Sequence, residues 1–159
     1  MKKVLSNLLP ILIFSIFLTL FSCNSIDVCN QKQTISNNVW VRDQTADFDV
    51  EIKDSIQKYD VSIVIRHASY YPYANLVVEL FMTFPTGEER VKEHDLLLRN
   101  KDGSFLGEGM GDIWDISIPV YKNHVFNALG KYKFTIRNVM PVHETPGLME
   151  IGLNIKKSK

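Results

Sequence analysis

The sequence predicts an all-β protein: a single antiparallel β-sandwich of jelly-roll or immunoglobulin-like type, reached after an export signal and a short polar lead-in. Three observations carry this expectation. Apolar and polar residues alternate with period 2 in seven or eight separate segments, which puts one side of each in a core and the other in water. Turn residues separate those segments, and no 3.6-residue period appears after the amino-terminal run. Strands with one apolar face cannot leave it wet, so two sheets must pack face to face. The 159 residues suit one domain plus its ends.

The amino terminus comes first. Lys2 and Lys3 precede an apolar run from Leu8 to Phe21, broken only by Pro10, Ser15 and Thr19. That run is shorter than the ~20 residues a membrane-spanning helix needs, and it fits the hydrophobic centre of an export signal. Leu20-Phe21-Ser22-Cys23 then resembles the lipobox of bacterial lipoproteins, with small Ser22 just before the cysteine and Phe21 bulkier than usual at its position. The resemblance implies a lipoprotein signal peptide over residues 1–22, a diacylglycerol on the Cys23 sulfur and an acylated new amine. Several acyl chains, at ~0.8 kcal/mol per buried CH₂, give stable membrane attachment. An ordinary secretory signal cut a little later would leave Cys23 incidental.

Residues 23–38 are polar and aperiodic and are expected to be a lipidated tether, with 39–159 as the sandwich domain. Cys29 has no cysteine or histidine at metal or redox spacing and reads as an unpaired tether thiol. Phe48, Val50 and Ile52 alternate with acids and Lys53. Val61, Ile63 and Ile65 repeat the pattern, and Leu76 to Phe84 form a longer strand whose second face carries Val77 and Phe81. Pro85-Thr86-Gly87 turns the chain into a returning strand over Glu88 to Leu98. Trp114, Ile116, Ile118 and Val120 alternate, with Pro119 marking an edge. Tyr132, Phe134 and Ile136, then Met149, Ile151, Leu153 and Ile155, complete the set. The Cys–Trp–Cys arrangement of antibody domains is missing.

Two segments are not plain strand. Arg66 to Leu76 holds Tyr70, Tyr71 and Tyr73 around Pro72. Arg66 and these tyrosines could form a contact surface for a sugar or a protein, or the rings could fold back and plug the end of the sandwich. His67 continues the inward alternation and is expected to be a hydrogen-bonded histidine at the core edge. Lys101 to Asp115 holds Asp102-Gly103, a turn pair, and glycines at 107, 109 and 111. It is expected to cross between sheets, the glycines admitting close backbone approach and Trp114 anchoring it in the core. No helix follows to make a phosphate site, and Asp102, Asp112 and Asp115 lack the spacing of a calcium loop.

Composition and motifs narrow the chemistry. The 18 basic and 18 acidic side chains balance, so the footprint of a nucleic-acid binder is absent. The four histidines have no H-E-x-x-H spacing and no G-x-S-x-G elbow occurs, so neither an enzyme nor a cofactor or metal site is expected.

Three stretches together resemble a known family: Arg66-His67 with Tyr71-Pro72-Tyr73-Ala74-Asn75-Leu76; Lys101-Asp102-Gly103 with Leu106-Gly107-Glu108-Gly109-Met110-Gly111-Asp112-Ile113-Trp114-Asp115; and Pro146-Gly147-Leu148-Met149-Glu150-Ile151-Gly152-Leu153. Behind a lipobox and in this order, they resemble the gliding-motility lipoproteins of the Bacteroidetes, the GldH family. The resemblance implies a non-enzymatic component of surface gliding, linked to type IX secretion. It also implies a lipid anchor on Cys23 in the cell envelope, with the outer membrane favoured, and other gliding-motility envelope proteins as partners. An envelope carbohydrate-binding or adhesive sandwich, using the tyrosine turn as its platform, is the alternative.

Overall fold

The computed structural model describes residues 27–158, so the signal segment and Cys23 lie outside the described residues. Its strands are β1 (Asp27–Thr34), β2 (Val39–Val41), β3 (Thr45–Ile52), β4 (Lys58–Ala68), β5 (Asn75–Thr83), β6 (Glu89–Leu97), β7 (Glu108–Met110), β8 (Ile113–Val125), β9 (Gly130–Asn138), β10 (Glu144–Pro146) and β11 (Leu148–Lys157). One sheet runs β1-β11-β4-β8-β7, the other β3-β9-β5-β6, and β10 pairs with β2 alone.

All pairings are antiparallel, and four of them nest one inside the next. Among the eight long strands the first pairs with the last (β1 with β11), the second with the seventh (β3 with β9), the third with the sixth (β4 with β8) and the fourth with the fifth (β5 with β6). A long ribbon of paired strands rolled over on itself is a jelly roll, which decides between the two expected sandwich types. The alternating residues meet as their period requires: Ile63 and Ile65 lie between Leu153 and Ile151 on one side and Ile118 and Ile116 on the other. Phe48 lies opposite Phe134, and Leu80 opposite Ile136, on the facing sheet. Pro119 falls on the part of β8 beyond the short β7, where no further strand pairs with it.

Three expectations are corrected. The segment expected to be a tether forms β1, paired with β11 from Asp27 to Thr34. Cys29 is therefore buried in the core with its Sγ 3.7 Å from the Leu153 carbonyl, and burial pushes the thiol pKa up. β1 escapes a periodicity search because its other inward side chains are Gln31 and Gln33. At the mouth of the sandwich these donate to the Asp49 and Asp47 carbonyls of β3, at 3.1 and 2.8 Å, where a β strand usually presents apolar groups. Trp114 is half-buried, and the indole sealed in the core is Trp40.

The returning strand β6 is mostly exposed. Register places Arg90, Lys92 and His94 opposite Met82, Leu80 and Val78, on the inward side. Arg90 stands over the Phe84 ring and Lys92 over the Tyr121 ring. Inward charges on an edge strand discourage pairing with another chain.

The sandwich has two unlike ends. β1, β4 and β9 begin, and β8 and β11 finish, at one end, closed by loops 53–57, 84–88 and 126–129. The opposite end is built from turns 69–74, 98–107, 111–112 and 139–143.

Candidate functional site

The far end brings together all three of the stretches described above, through strand register and backbone hydrogen bonds. Arg66 on β4 sits between Asp115 on β8 and Glu150 on β11. Its guanidinium donates to both Asp115 carboxylate oxygens at 2.9 Å and to Glu150 Oε1 at 3.1 Å. Lys32 of β1 adds a fourth charge, 3.5 Å from Glu150 Oε2. This row crosses four strands on the outer face of the five-stranded sheet. The Arg66 hydrogen bonds hold the Asp115 carboxyl below its ordinary range. Partly exposed pairs are screened by water, so the row chiefly fixes orientation and register.

Backbone bonds complete the junction. Ala68 N–H donates to the Gly147 carbonyl and Ser69 N–H to the Asp112 carbonyl, both at 2.8 Å. Ser69 Oγ reaches Asp112 Oδ1 at 3.1 Å. Gly109 lies flat against the Trp114 ring, where an added Cβ would come within 2.8 Å of the indole. The glycine segment thus crosses between sheets as expected, although Trp114 is only partly covered.

The four expected contact residues separate. Tyr71 is fully buried, and its hydroxyl donates to the Asn75 carbonyl at 2.8 Å. Burial pushes that hydroxyl pKa strongly upward. This ring is a plug and is removed from the surface, because a closed end is the one place where a Tyr can hide its ring and still bond its hydroxyl to a turn. Tyr73 is half-buried and meets Tyr71 edge-on at 5.7 Å. Arg66 is held in its ion pairs, and Tyr70 alone is open, at 61% exposure.

Arg99 organises the plug and was not singled out by its sequence context, a charged residue between an apolar run and a turn. It donates to the carbonyls of Tyr71 at 2.7 Å and Gly103 at 3.2 Å, and its guanidinium lies 3.7 Å from the Phe105 ring centroid. Phe105 in turn stacks on Trp114 at 4.9 Å. Two further residues complete the surface. Met110 and Ile113 pair across the β7–β8 hairpin, exposed at 87% and 39%. Ile113 also pairs with Ala68, two residues before Tyr70. Their signal was apolar side chains inside a three-glycine hairpin too small to bury them.

His67 is fully buried between Tyr71 and Phe105, with ring centroids at 5.6 and 5.2 Å. Its Nδ1 donates to the Ala68 carbonyl at 3.1 Å, and Nε2 has no polar partner among the described residues. Burial pushes its pKa below the ordinary 6.5, and burial does the same to His94 and His124. The unfolded chain protonates these rings as pH falls through about 6.5, while the folded chain resists. Stability complete above that pH is therefore lost as the solution acidifies, before the carboxylates titrate. Melting curves should show a falling transition temperature from pH 7 to pH 5 and a smaller fall in His67→Gln; equal falls would show that His67 does not contribute.

A model of the family described as GldH lipoprotein matches residues 27–155. The gliding motility lipoprotein GldH homolog of Christiangramia forsetii is 30% identical over 158 residues, covering 91% of this chain and 96% of the relative. Gliding motility lipoprotein GldH of Flavobacterium johnsoniae is 28% identical over 145 residues, covering 87% and 89%. Among solved structures, TmCBM61 in complex with β-1,4-galactotriose is 14% identical over 81% of this chain and 82% of its own, at a TM-score of 0.35.

Proposed function

The chain belongs to the GldH lipoprotein family, and on that premise we propose that it is acylated on Cys23 and works in gliding by protein–protein contact at the far end of its sandwich. A lipoprotein of gliding motility is associated with a membrane of the cell envelope. The proposal adds the outer membrane as that membrane, a machinery linked to type IX secretion, and other envelope proteins of that machinery as partners.

The observation that carries this reading is the exposure of Tyr70, Met110 and Ile113 on a framework that the three stretches tie together by backbone hydrogen bonds. Aromatic and methionine side chains are favoured in contact patches, and a few anchors carry most of the binding energy. The Ser69–Asp112 and Arg66–Asp115 bonds fix the turn and the hairpin that present them, which lowers the ordering cost of binding. A carbohydrate platform would need several open rings. With Tyr71 inside and Tyr73 half-covered, this turn offers only Tyr70.

A Tyr70→Ser, Met110→Ser double variant tests the reading. Surface substitutions of this kind change stability by about 0.5 kcal/mol or less. Loss of two anchors should weaken a contact by about 2 kcal/mol or more, roughly thirtyfold in affinity. The expected result is loss of gliding at normal abundance and melting temperature. A folded, abundant variant that glides like the parent would overturn the assignment of this surface.

A further inference from the structure

We infer that the end of the sandwich where β1 begins rests on the bilayer, with Ile56 and Leu129 set into the lipid surface and the Tyr70–Met110–Ile113 end turned away from it. The inference deepens the proposed lipid anchor on Cys23. Four peptide links join Cys23 to Asp27, the first residue of β1. A chain extends by at most about 3.6 Å per residue, so the two Cα atoms lie within about 14 Å of each other by any path. The acyl chains therefore hold the start of β1 close to the membrane.

Register shows what else sits at that end. Asp27 pairs with Lys156, Tyr59 with Lys157, Lys58 with Val125, and Ile52 with Gly130. Loops 53–57 and 126–129 therefore lie at the same end as Asp27. Each displays a large aliphatic side chain, Ile56 at 90% exposure and Leu129 at 58%, and Val125 beside them is also exposed. The Ile56 loop is braced from within. Asp54 Oδ1 accepts the N–H groups of Ile56 and Gln57 at 2.9 and 3.1 Å, and the Tyr59 hydroxyl donates to the Asp54 carbonyl at 2.9 Å. A loop held in this way keeps Ile56 outward rather than letting it fold onto the core.

The charges at this end suit phosphate-bearing headgroups. Lys58, Lys122 and Lys157 are exposed and have no carboxylate within 4.0 Å among the described residues, whereas Lys53 and Lys156 are paired with Glu51 and Asp27. The acids beside them stay charged: Asp54, which accepts the N–H groups of its own loop, faces Lys157, and Asp60, which accepts from the Asn123 N–H at 2.8 Å and the Ser158 hydroxyl at 2.7 Å, faces Lys122. Apolar tips set among exposed lysines, whose ammonium groups can turn to lipid phosphates, suit an interfacial contact. The 11 residues of β4, at about 3.3 Å each, then separate Tyr70 from this end by up to about 35 Å.

The test uses the full lipoprotein in phosphatidylethanolamine–phosphatidylglycerol vesicles. Single variants Ile56→Cys, Leu129→Cys and Tyr70→Cys carry an environment-sensitive fluorophore, and brominated lipids serve as quenchers. Positions 56 and 129 should shift to the blue and be quenched several-fold more than position 70. Labels at 56 and 129 that stay as open to an aqueous quencher as the one at 70 would overturn the inference while the anchor, read by the mass of the Cys23 peptide, stands. Shielding of position 56 in whole envelopes but not in protein-free vesicles would overturn it too, by showing that a protein covers this end. An unmodified Cys23 would remove the anchor, and the orientation with it.

Discussion

Tyr71→Ala should lose about 3–5 kcal/mol of folding stability, the range for deleting a large buried ring. The side chain is fully sealed, packs on His67 and Tyr73, and has its hydroxyl satisfied by the Asn75 carbonyl. Truncation opens a void beneath the 69–74 turn and removes the ring on which His67 rests. Because a small domain is stable by only about 5–15 kcal/mol, this loss should lower abundance in the envelope as well as gliding. Tyr71→Phe keeps the ring and drops one hydrogen bond, so it should cost about 1 kcal/mol. Urea unfolding of both variants checks this. A loss under about 1 kcal/mol for the alanine variant would mean that the ring does not close the sandwich.

Gly147→Ala should cost about 2–5 kcal/mol. Gly147 has φ +86°, a conformation that an L side chain enters at about 1–2 kcal/mol. Its added Cβ would also stand 2.9 Å from Tyr71 Cα and 3.1 Å from Tyr71 N, and backbone cannot swing aside as a side chain can. Both partners are pinned. Gly147 N–H donates to Asn38 at 2.7 Å, its carbonyl accepts from Ala68 at 2.8 Å, and the Tyr71 carbonyl is held by Arg99. Overpacking of this kind adds about 1–3 kcal/mol. Gly103 is the internal control, with nearly the same φ of +85° and open space where a Cβ would go. Gly103→Ala should therefore show only the conformational cost. Equal losses in the two variants would show that the contact with Tyr71 yields.

The strands with an apolar inward face were legible because burial on one face of a sheet writes a period of 2 into the chain. β3, β4, β5, β8, β9 and β11 follow that rule, and their alternation alone required two packed sheets. β1 was illegible for the complementary reason. It lies at a sheet edge where its inward glutamines are hydrogen-bond donors to β3, so burial left no apolar signature. β2, β7 and β10, three residues each, are too short to show any period.

The same division runs through the candidate site. Its raw materials were visible: the aromatic turn and the glycine-rich segment did not read as plain strand, and Pro146-Gly147 opened one of the stretches that carried the family resemblance. Which of the tyrosines faced solvent was not, because Tyr70 and Tyr71 are chemically identical and adjacent, and a turn has no period to sort them. That was decided by the jelly-roll winding, which brings the ends of β4, β8 and β11 together and leaves room for one ring beneath the turn. The alternation along the chain was enough to require a sandwich. Only the tertiary structure determined that three distant stretches form one surface, since their contacts are set by strand register across the sheet and not by separation along the chain.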